Sequence, residues 1–218
     1  MNDFIKRFTK NIIDRTPLLN RYIIFKGTGK YKKIALTFDD GPTEHTPELL
    51  KILRENKVAA NFFLLGENIA AFPRIAKQIR DEGHLIGNHT FSHADFNGLS
   101  NQQALKEIEK GFGTINAFIG DQESLFFRPP KGNIRWRLLP RLFRRNIRLI
   151  FWTVDSEDFL KLDSQKILEF LIGYHYTGGE IILLHDMIPE TIKMLPNFIH
   201  FTKSKGFDFA LVSELIER

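Results

Sequence analysis

The sequence of 218 residues predicts an α/β fold, a single-domain (β/α) barrel of about seven parallel strands. Short apolar segments rich in Ile, Val and Phe alternate with amphipathic segments of about ten residues or more, as in repeated strand–helix units. The length suits one such domain, and the hydrophobic (43%) and charged (26%) fractions are ordinary for a globular protein. A coiled coil and a disordered chain are therefore not expected.

The predicted strands are short apolar runs bounded by turn residues. They cover Lys33–Phe38, Ala59–Leu65, His84–Gly87, Leu125–Phe127, Leu149–Val154, Glu180–Leu184 and Phe207–Ala210. Segments with helical periodicity fill most of the gaps. These predicted helices are Pro47–Asn56, Pro73–Glu82, Gln102–Phe118, Arg135–Arg145, Asp163–His175, Ile192–Lys205 and Val212–Glu217.

Three of these helices carry start signals. Pro47 and Pro73 suit a first helical turn, where the N–H that proline lacks would have no partner. Thr46 is expected to cap the first helix, and Ser100 precedes Gln103 at the spacing of a capping box.

Residues 1–30 are predicted to form an N-terminal extension packed on a catalytic domain of residues 31–218. Apolar residues of the extension recur at helical spacing: Phe4, Ile5, Phe8, Ile12 and Ile13. A helix on a membrane surface is the alternative. Charged residues interrupt every apolar run here, so no cleaved signal peptide is expected, and no run in the sequence reaches the roughly 18 apolar residues of a transmembrane helix. We expect a cytoplasmic protein.

The net charge is +5, and six arginines fall between Arg135 and Arg148. Such a run is usually a solvated helix face, and nucleic-acid binding is the weaker alternative. Because no aromatic-interleaved basic motif or zinc-finger spacing accompanies the charge, no specific nucleic-acid partner is expected. The sequence has no cysteine, which excludes disulfides and thiolate metal sites.

Polar residues follow several of the predicted strands. They are Asp39, Asp40, His89, His93, Arg128, Asp158 and His185. Because the active site of a parallel α/β barrel is built at the carboxyl ends of its strands, these side chains could meet on one face. Taken singly, Arg128 and Asp158 could form a structural ion pair, and His185 could be a core histidine.

His89 and His93 are four residues apart in HTFSH, so a helical turn would place both imidazoles on one face, able to bind one cation. A histidine pair at this spacing is often incidental unless a third ligand exists, and Asp40 could be that ligand. Thr90 stands where the zincin motif has its general-base Glu, so the base must come from elsewhere. One of the adjacent carboxylates Asp39 and Asp40 can bind metal while the other accepts a proton; alternatively, TFDDGP is only a strand-ending turn.

Five ordered motifs resemble those of the polysaccharide deacetylases, carbohydrate esterase family four. They are TFDDGP at Thr37–Pro42, HTFSH at His89–His93, RPPKG at Arg128–Gly132, DSEDF at Asp155–Phe159 and LLH at Leu183–His185. The resemblance implies a distorted (β/α) barrel and one divalent metal ion, usually zinc, with cobalt or nickel as alternatives. It also implies hydrolysis of the acetamide of an N-acetylated glycan, of the chitooligosaccharide or peptidoglycan type, to an amine and acetate.

By this resemblance Asp40, His89 and His93 would bind the metal. Asp39 would be the general base for the attacking water, and Arg128 would orient Asp39 and keep it ionised.

The resemblance also makes His185 the general acid that protonates the leaving amine, oriented by a hydrogen bond to Asp158. The backbone N–H of Lys131 would help to stabilise the oxyanion. The substrate-binding residues would be Pro130, Lys131, Phe159 and Leu183. The family commonly has Tyr in place of Lys131 and Trp in place of Phe159, so we expect retained activity with altered substrate choice.

Two other functions fit the same residues. The site could hydrolyse an O-acetyl ester or another amide, such as that of a cyclic imide, because activated water attacks any acyl carbon. The protein could also be a non-catalytic carbohydrate-binding relative. The intact set of acidic and histidine residues argues against this last alternative.

Overall fold

The fold is built on a curled sheet of parallel strands, seen in a computed structural model that describes residues 17–121, 125–160 and 162–216. The described strands are β1 (Ile23–Ile24), β2 (Lys33–Asp39), β3 (Asn61–Leu64), β4 (Leu85–Asn88), β5 (Phe126–Phe127), β6 (Arg148–Ile150), β7 (Val154–Asp155), β8 (Ile181–His185) and β9 (Asp208–Phe209). Their order is β1-β6-β5-β4-β3-β2-β8-β7, and β9 pairs with β2. All these pairings are parallel. The predicted single-domain distorted (β/α) barrel is confirmed.

Helices connect the strands and cover the outside of the sheet. They are α1 (Pro17–Asn20), α2 (Thr46–Glu55), α3 (Gly66–Ala71), α4 (Pro73–Asp81), α5 (Asn101–Phe118), α6 (Leu139–Arg144), α7 (Ser164–Gly173), α8 (Pro189–Ser204) and α9 (Val212–Ile216). No helix within these described ranges is long and apolar enough to cross a membrane.

Strand alternation decides which side chains enter the barrel. Ile34, Leu36 and Phe38 of β2 pack in one core cluster with residues of the outer helices, and the intervening Ala35 packs in the second, inner cluster. Because successive side chains of a strand point to opposite faces, Asp39 continues the inner row. On the neighbouring strand β8, His185 is the register partner of Asp39. Two polar residues therefore leave the same inner face side by side.

One predicted strand, Leu149–Val154, is wrong as a continuous element. It divides into β6 and β7, because the Phe151 N–H donates to Ile24 O of β1 (2.8 Å) and the Thr153 N–H donates to Ile181 O of β8 (2.8 Å). The chain thus crosses between two neighbours inside what looked like one apolar run. The two-residue strand β1 was not predicted, since two isoleucines carry no detectable period.

The predicted helix Arg135–Arg145 also differs from the structure. A 3₁₀ turn occupies Trp136–Leu138, and α6 begins only at Leu139, with Pro140 in its first turn. The short α3 was not predicted. The other predicted helices are present with shifted ends, and Glu217 lies outside the described residues.

The two predicted caps had different outcomes. The capping box of Ser100 and Gln103 is confirmed. Thr46 does not cap α2, because it is the first residue of the helix and His45 occupies the N-cap; its hydroxyl donates to Asp186 Oδ2 at 2.6 Å. The predicted helical segment before residue 17 lies outside the described residues.

Candidate active site

The polar residues at the strand ends surround one cavity of about 310 Å³ at the carboxyl edge of the sheet. The cavity is lined by Asp39, Asp40, His89, His93, Lys131, Trp152, Asp155, Phe159, Leu183 and His185. Arg128 and Asp158 lie behind this lining, fully buried. The structure therefore brings together the seven polar residues that the sequence singled out.

Asp40, His89 and His93 form a compact cluster of possible metal ligands. One ligand atom from each lies within 4.8 Å of the others. Nε2 of His89 and Nε2 of His93 each lie 3.6 Å from Asp40 Oδ1. That oxygen is buried and has no hydrogen-bond partner among the described residues. A buried carboxylate oxygen without a partner, facing two imidazoles, fits a divalent cation.

The state of His89 also suits a ligand. Burial lowers the pKa of His89 to about 3, so its ring stays neutral at physiological pH. Its Nδ1 lies 2.7 Å from the carbonyl oxygen of Arg128, to which a neutral Nδ1–H donates. This tautomer leaves the Nε2 lone pair toward Asp40. Donation of the other ring N–H to a backbone carbonyl is common for metal-binding histidines.

The expected helical turn in HTFSH is wrong. Residues 89–93 are not helical, and Thr90 and His93 have positive φ angles of 77° and 57°. The backbone N–H of His93 donates to Thr90 Oγ1 at 3.1 Å, which holds the reversed chain. The two imidazole centroids are nonetheless 5.1 Å apart. Positive φ at non-glycine residues is a strained conformation that concentrates at functional sites, and Asp40 and Lys131 share it.

Arg128 is completely buried beneath Asp39 and makes four side-chain hydrogen bonds. Its Nη1 donates to Asp39 Oδ1 (2.7 Å) and to Thr37 Oγ1 (2.8 Å). Its Nε and Nη2 donate to the carbonyl oxygens of Ile150 (3.1 Å) and Phe151 (3.2 Å). Burial raises the pKa of Asp39, and the charge and hydrogen bond of Arg128 oppose that rise. Arg128 therefore favours the ionised carboxylate that a base requires.

We expect Arg128→Gln to reduce the free energy of unfolding by about 3–5 kcal/mol, because Asp39 would be left as a buried charge without a partner. Urea denaturation of the purified variant measures this difference. Arg145→Gln is the matched control, since Arg145 forms an exposed ion pair with Glu109 and exposed pairs contribute about 0–1 kcal/mol. Equal losses in the two variants would contradict the structural role given to Arg128.

Asp158 and His185 form a second buried pair on the other side of the cavity. His185 Nδ1 lies 2.7 Å from Asp158 Oδ1. Asp158 Oδ2 accepts from the His185 backbone N–H (2.8 Å) and from Thr191 Oγ1 (2.7 Å). Burial alone would lower the pKa of His185, but the hydrogen bond and charge of Asp158, with the charges of Asp39 and Asp40, raise it to about 9. His185 is therefore protonated at neutral pH, with Nε2 left for a ligand.

Three of the four predicted substrate-binding residues line the cavity, and one does not. Lys131, Phe159 and Leu183 line the cavity, whereas Pro130 is buried outside the lining. Phe159 is 50% exposed, and its ring meets the His185 ring edge-on at 6.0 Å. The Lys131 ammonium group binds Asp95 Oδ2 at 2.9 Å.

Sequence reasoning missed Trp152 and Asp155, which line the cavity. The Trp152 indole N–H donates to Asp155 Oδ2 at 3.1 Å. Trp152 also faces Gly132, where an added Cβ would lie 2.8 Å from the indole ring. Asp155 stands inside the quoted DSEDF motif, so that motif was the available signal. No signal in the sequence indicated the position of Trp152, because that position depends on the crossing of the chain between β6 and β7.

Asp186 is a further missed residue, buried directly after His185. Its Oδ2 accepts from Thr46 Oγ1, and its Oδ1 has no hydrogen-bond partner within the described part of the chain. Burial raises its pKa to about 7. Asp186 therefore adds a partly protonated carboxyl group behind the turn that follows β2. Neither composition nor spacing in the sequence indicated this role.

Comparison with known proteins assigns this fold and site to a class. The family model for polysaccharide deacetylase matches residues 26–149. A peptidoglycan-N-acetylglucosamine deacetylase of Bacillus cereus is 34% identical over 198 residues, which cover 88% of this chain and 71% of the relative. The chain belongs to the polysaccharide deacetylase family, a family of hydrolases.

Solved structures agree with this assignment. The crystal structure of the Bc1960 peptidoglycan N-acetylglucosamine deacetylase has a TM-score of 0.86 and 32% identity, covering 92% of this chain and 96% of that one. A CE4 family pseudoenzyme from Bacillus anthracis has a TM-score of 0.82 and 27% identity, covering 89% of this chain and 69% of that one. The fold is thus shared by active and inactive members, so the side chains of the site must carry the functional argument.

Proposed function

We propose that this protein hydrolyses the acetamide of an N-acetylated glycan of the peptidoglycan or chitin type, releasing acetate. One observation carries the proposal: Asp39 and the Asp158-paired His185 lie side by side at one cavity, next to the cluster of Asp40, His89 and His93. A base, an acid and a metal-ligand set are the groups that amide hydrolysis needs. The deacetylases among the relatives support the substrate class.

Asp40, His89 and His93 would hold one divalent ion, and zinc is the metal we propose. Two imidazole nitrogens and one carboxylate oxygen are a donor set of catalytic zinc sites, and cobalt or nickel can use the same donors. When bound, the ion supplies Lewis acidity to the acetyl carbonyl and to water. The hydrogen bond from His89 Nδ1 to the Arg128 carbonyl oxygen orients one of these ligands.

The remaining residues divide the proton transfers between them. Asp39, held by Arg128, takes a proton from the attacking water, since its carboxylate lies in the cavity and is the group whose pKa burial raises. His185, protonated at neutral pH, gives a proton through Nε2 to the leaving amine. Asp158 keeps the His185 ring oriented and charged. Lys131 lines the same cavity, which supports its backbone N–H as the donor to the oxyanion.

Asp158→Asn is expected to move the alkaline limb of the kcat/KM profile to lower pH. His185 must be protonated to act as the acid, so activity falls as pH rises through its pKa. Removing the negative charge of Asp158 removes the main cause that raises the His185 pKa, and burial then lowers it. A bound cation moves the alkaline limb to lower pH in both wild type and Asp158→Asn, so the two proteins are compared in their zinc-loaded forms. An unshifted limb would contradict this role for Asp158, and Asp81→Asn, at an exposed site, is the control.

Loss of one proposed ligand should weaken metal binding without unfolding the protein. We expect His93→Gln to lower zinc affinity by at least about 100-fold, since losing a residue that only orients a ligand already costs about 10- to 100-fold. Competition against a chelator measures the affinity, and circular dichroism checks the fold. His200→Gln, at an exposed position on α8, is the control. Wild-type zinc affinity in His93→Gln would remove this residue from the ligand set.

A substrate panel separates the proposal from its alternatives. Purified, zinc-loaded protein is incubated with N-acetylglucosamine oligomers, O-acetylated sugars and a cyclic imide, and hydrolysis is measured for each. The proposal predicts the highest kcat/KM for the N-acetylated oligomers. A preference for the ester or the imide would reassign the reaction, and oligomer binding without any hydrolysis would identify a carbohydrate-binding relative.

A further inference from the structure

A second cavity, of about 320 Å³, opens beside the candidate active site and has no role in the chemistry proposed above. Its polar and aromatic lining includes Asn97, Asn101, Asn133, Arg135, Trp136 and Arg137. The loop after Arg128 lines both cavities, and the loop after His93 adds Phe96 and Asn97 to the second. These two loops are joined by the contact of Lys131 with Asp95 and by a 2.9 Å hydrogen bond from Asn133 Nδ2 to Asn97 Oδ1.

The two cavities are close enough for one glycan chain to enter both. Lys131 lines the first and Asn133 lines the second, and residues two apart have Cα atoms separated by at most about 7 Å. A sugar linked to the one whose acetamide occupies the first cavity would therefore reach the second.

The lining of the second cavity has the groups that recognise a sugar. Trp136 is 72% exposed, and such an aromatic surface packs against the C–H face of a sugar ring. Asn97, Asn101 and Asn133 offer amide groups for hydroxyl hydrogen bonds. Asn101 Oδ1 is buried and lacks a partner among the residues the structure describes. An acceptor in that state is satisfied when a ligand hydroxyl or a water donates to it.

The charge of the second cavity indicates which class of sugar it binds. Arg135 and Arg137 contribute two positive charges, and no acidic residue appears in the described lining. Arg135 is held by the Phe96 carbonyl oxygen at 3.1 Å and by the Leu99 carbonyl. The Arg137 guanidinium carbon lies over the Trp136 ring, 5.2 Å from its centroid, so the charge and the aromatic surface occupy the same place. A guanidinium group in this position can bind a carboxylate on the sugar.

We propose that the second cavity binds a sugar unit that carries a carboxylate, next to the unit that loses its acetyl group. This inference rests on the proposed function and narrows its substrate class. It favours a glycan of the peptidoglycan type whose N-acetylmuramic acid units carry a free carboxylate, as in strands without stem peptides, over chitin, in which every unit is neutral.

The test compares two tetrasaccharides of equal length, one alternating N-acetylglucosamine with N-acetylmuramic acid and one of N-acetylglucosamine alone. Calorimetry gives their affinities for zinc-loaded wild type, Arg137→Gln, Trp136→Ala and the matched control Arg141→Gln. Arg141 is exposed on α6, outside the cavity lining. Acetate release is measured in parallel on the same samples.

We expect Arg137→Gln to reduce affinity for the alternating tetrasaccharide roughly five-fold more than affinity for the neutral one, as fits the loss of one partly exposed charge interaction. Trp136→Ala should weaken both, and Arg141→Gln neither. High salt should reduce the wild-type preference. Equal responses of both glycans to Arg137→Gln, or tighter binding of a single-stranded oligonucleotide through the same residues, would overturn the inference.

The parallel assay separates the two proposals. Charge-selective binding without acetate release supports the second cavity and contradicts the proposed activity. Acetate release with no charge-selective effect of Arg137→Gln supports the activity and contradicts the second cavity.

Discussion

Asp39→Asn is expected to reduce acetate release from N-acetylglucosamine oligomers by about 10²- to 10⁴-fold, the contribution of a positioned general base. An amide at this position cannot take a proton from water at neutral pH. Its oxygen can still accept the hydrogen bond that Arg128 Nη1 now makes to Asp39 Oδ1 at 2.7 Å. The variant therefore changes the chemistry of the group with little change in its shape. Initial rates at saturating oligomer give the difference in kcat.

Zinc affinity is the internal control for this variant. Asp39 is not among the proposed ligands, so the metal content of Asp39→Asn should match that of wild type, whereas His93→Gln should lose it. Asp81→Asn applies the same chemical change to an exposed residue of α4 and should leave kcat unchanged. A zinc-loaded, folded Asp39→Asn protein with wild-type kcat would remove Asp39 from the reaction.

His185→Gln should produce the second large effect, and its size should depend on the leaving group. An amine leaves an acyl carbon readily only when it is protonated, whereas the phenolate of an activated aryl acetate needs no proton. We therefore expect kcat to fall by about 10²- to 10⁴-fold with the acetamide substrate. The logarithm of the fold loss should be several times smaller with the ester. Parallel kcat measurements on the two substrates give the ratio.

The matched control is His175→Gln, since His175 is exposed just after α7. It should leave both rates unchanged. An equal loss of acetamide and ester hydrolysis in His185→Gln would show that the residue supports the site in another way, such as holding the ring of Phe159, which it contacts edge-on.

Sequence reasoning succeeded where a local pattern decides the structure. The apolar run Lys33–Phe38 predicts strand β2, and the polar residues at the strand ends predict which side chains share a cavity. It failed where distant contacts decide. The break between β6 and β7 exists because Phe151 and Thr153 bond to different strands, and that break places Trp152 in the cavity.

The histidine motif shows the same limit at a smaller scale. Spacing correctly predicted that His89 and His93 lie close together, but a helical turn was the wrong reason. The left-handed conformations of Thr90 and His93 reverse the chain instead. Thr gives no signal for positive φ, and His, although enriched in this region with Asn and Asp, adopts it too rarely for the sequence to predict it. Asp186 was missed because burial alone, invisible in the sequence, makes it unusual.

The stoichiometry of the reaction tests the proposed function most directly. Zinc-loaded and chelator-treated protein are incubated with N-acetylglucosamine oligomers, and acetate and new primary amine are measured in the same samples. We expect equal amounts of the two products, loss of both after chelation and recovery of both when zinc is restored. Acetate without amine, or product formation that chelation does not change, would contradict a metal-dependent amide hydrolase at this cavity.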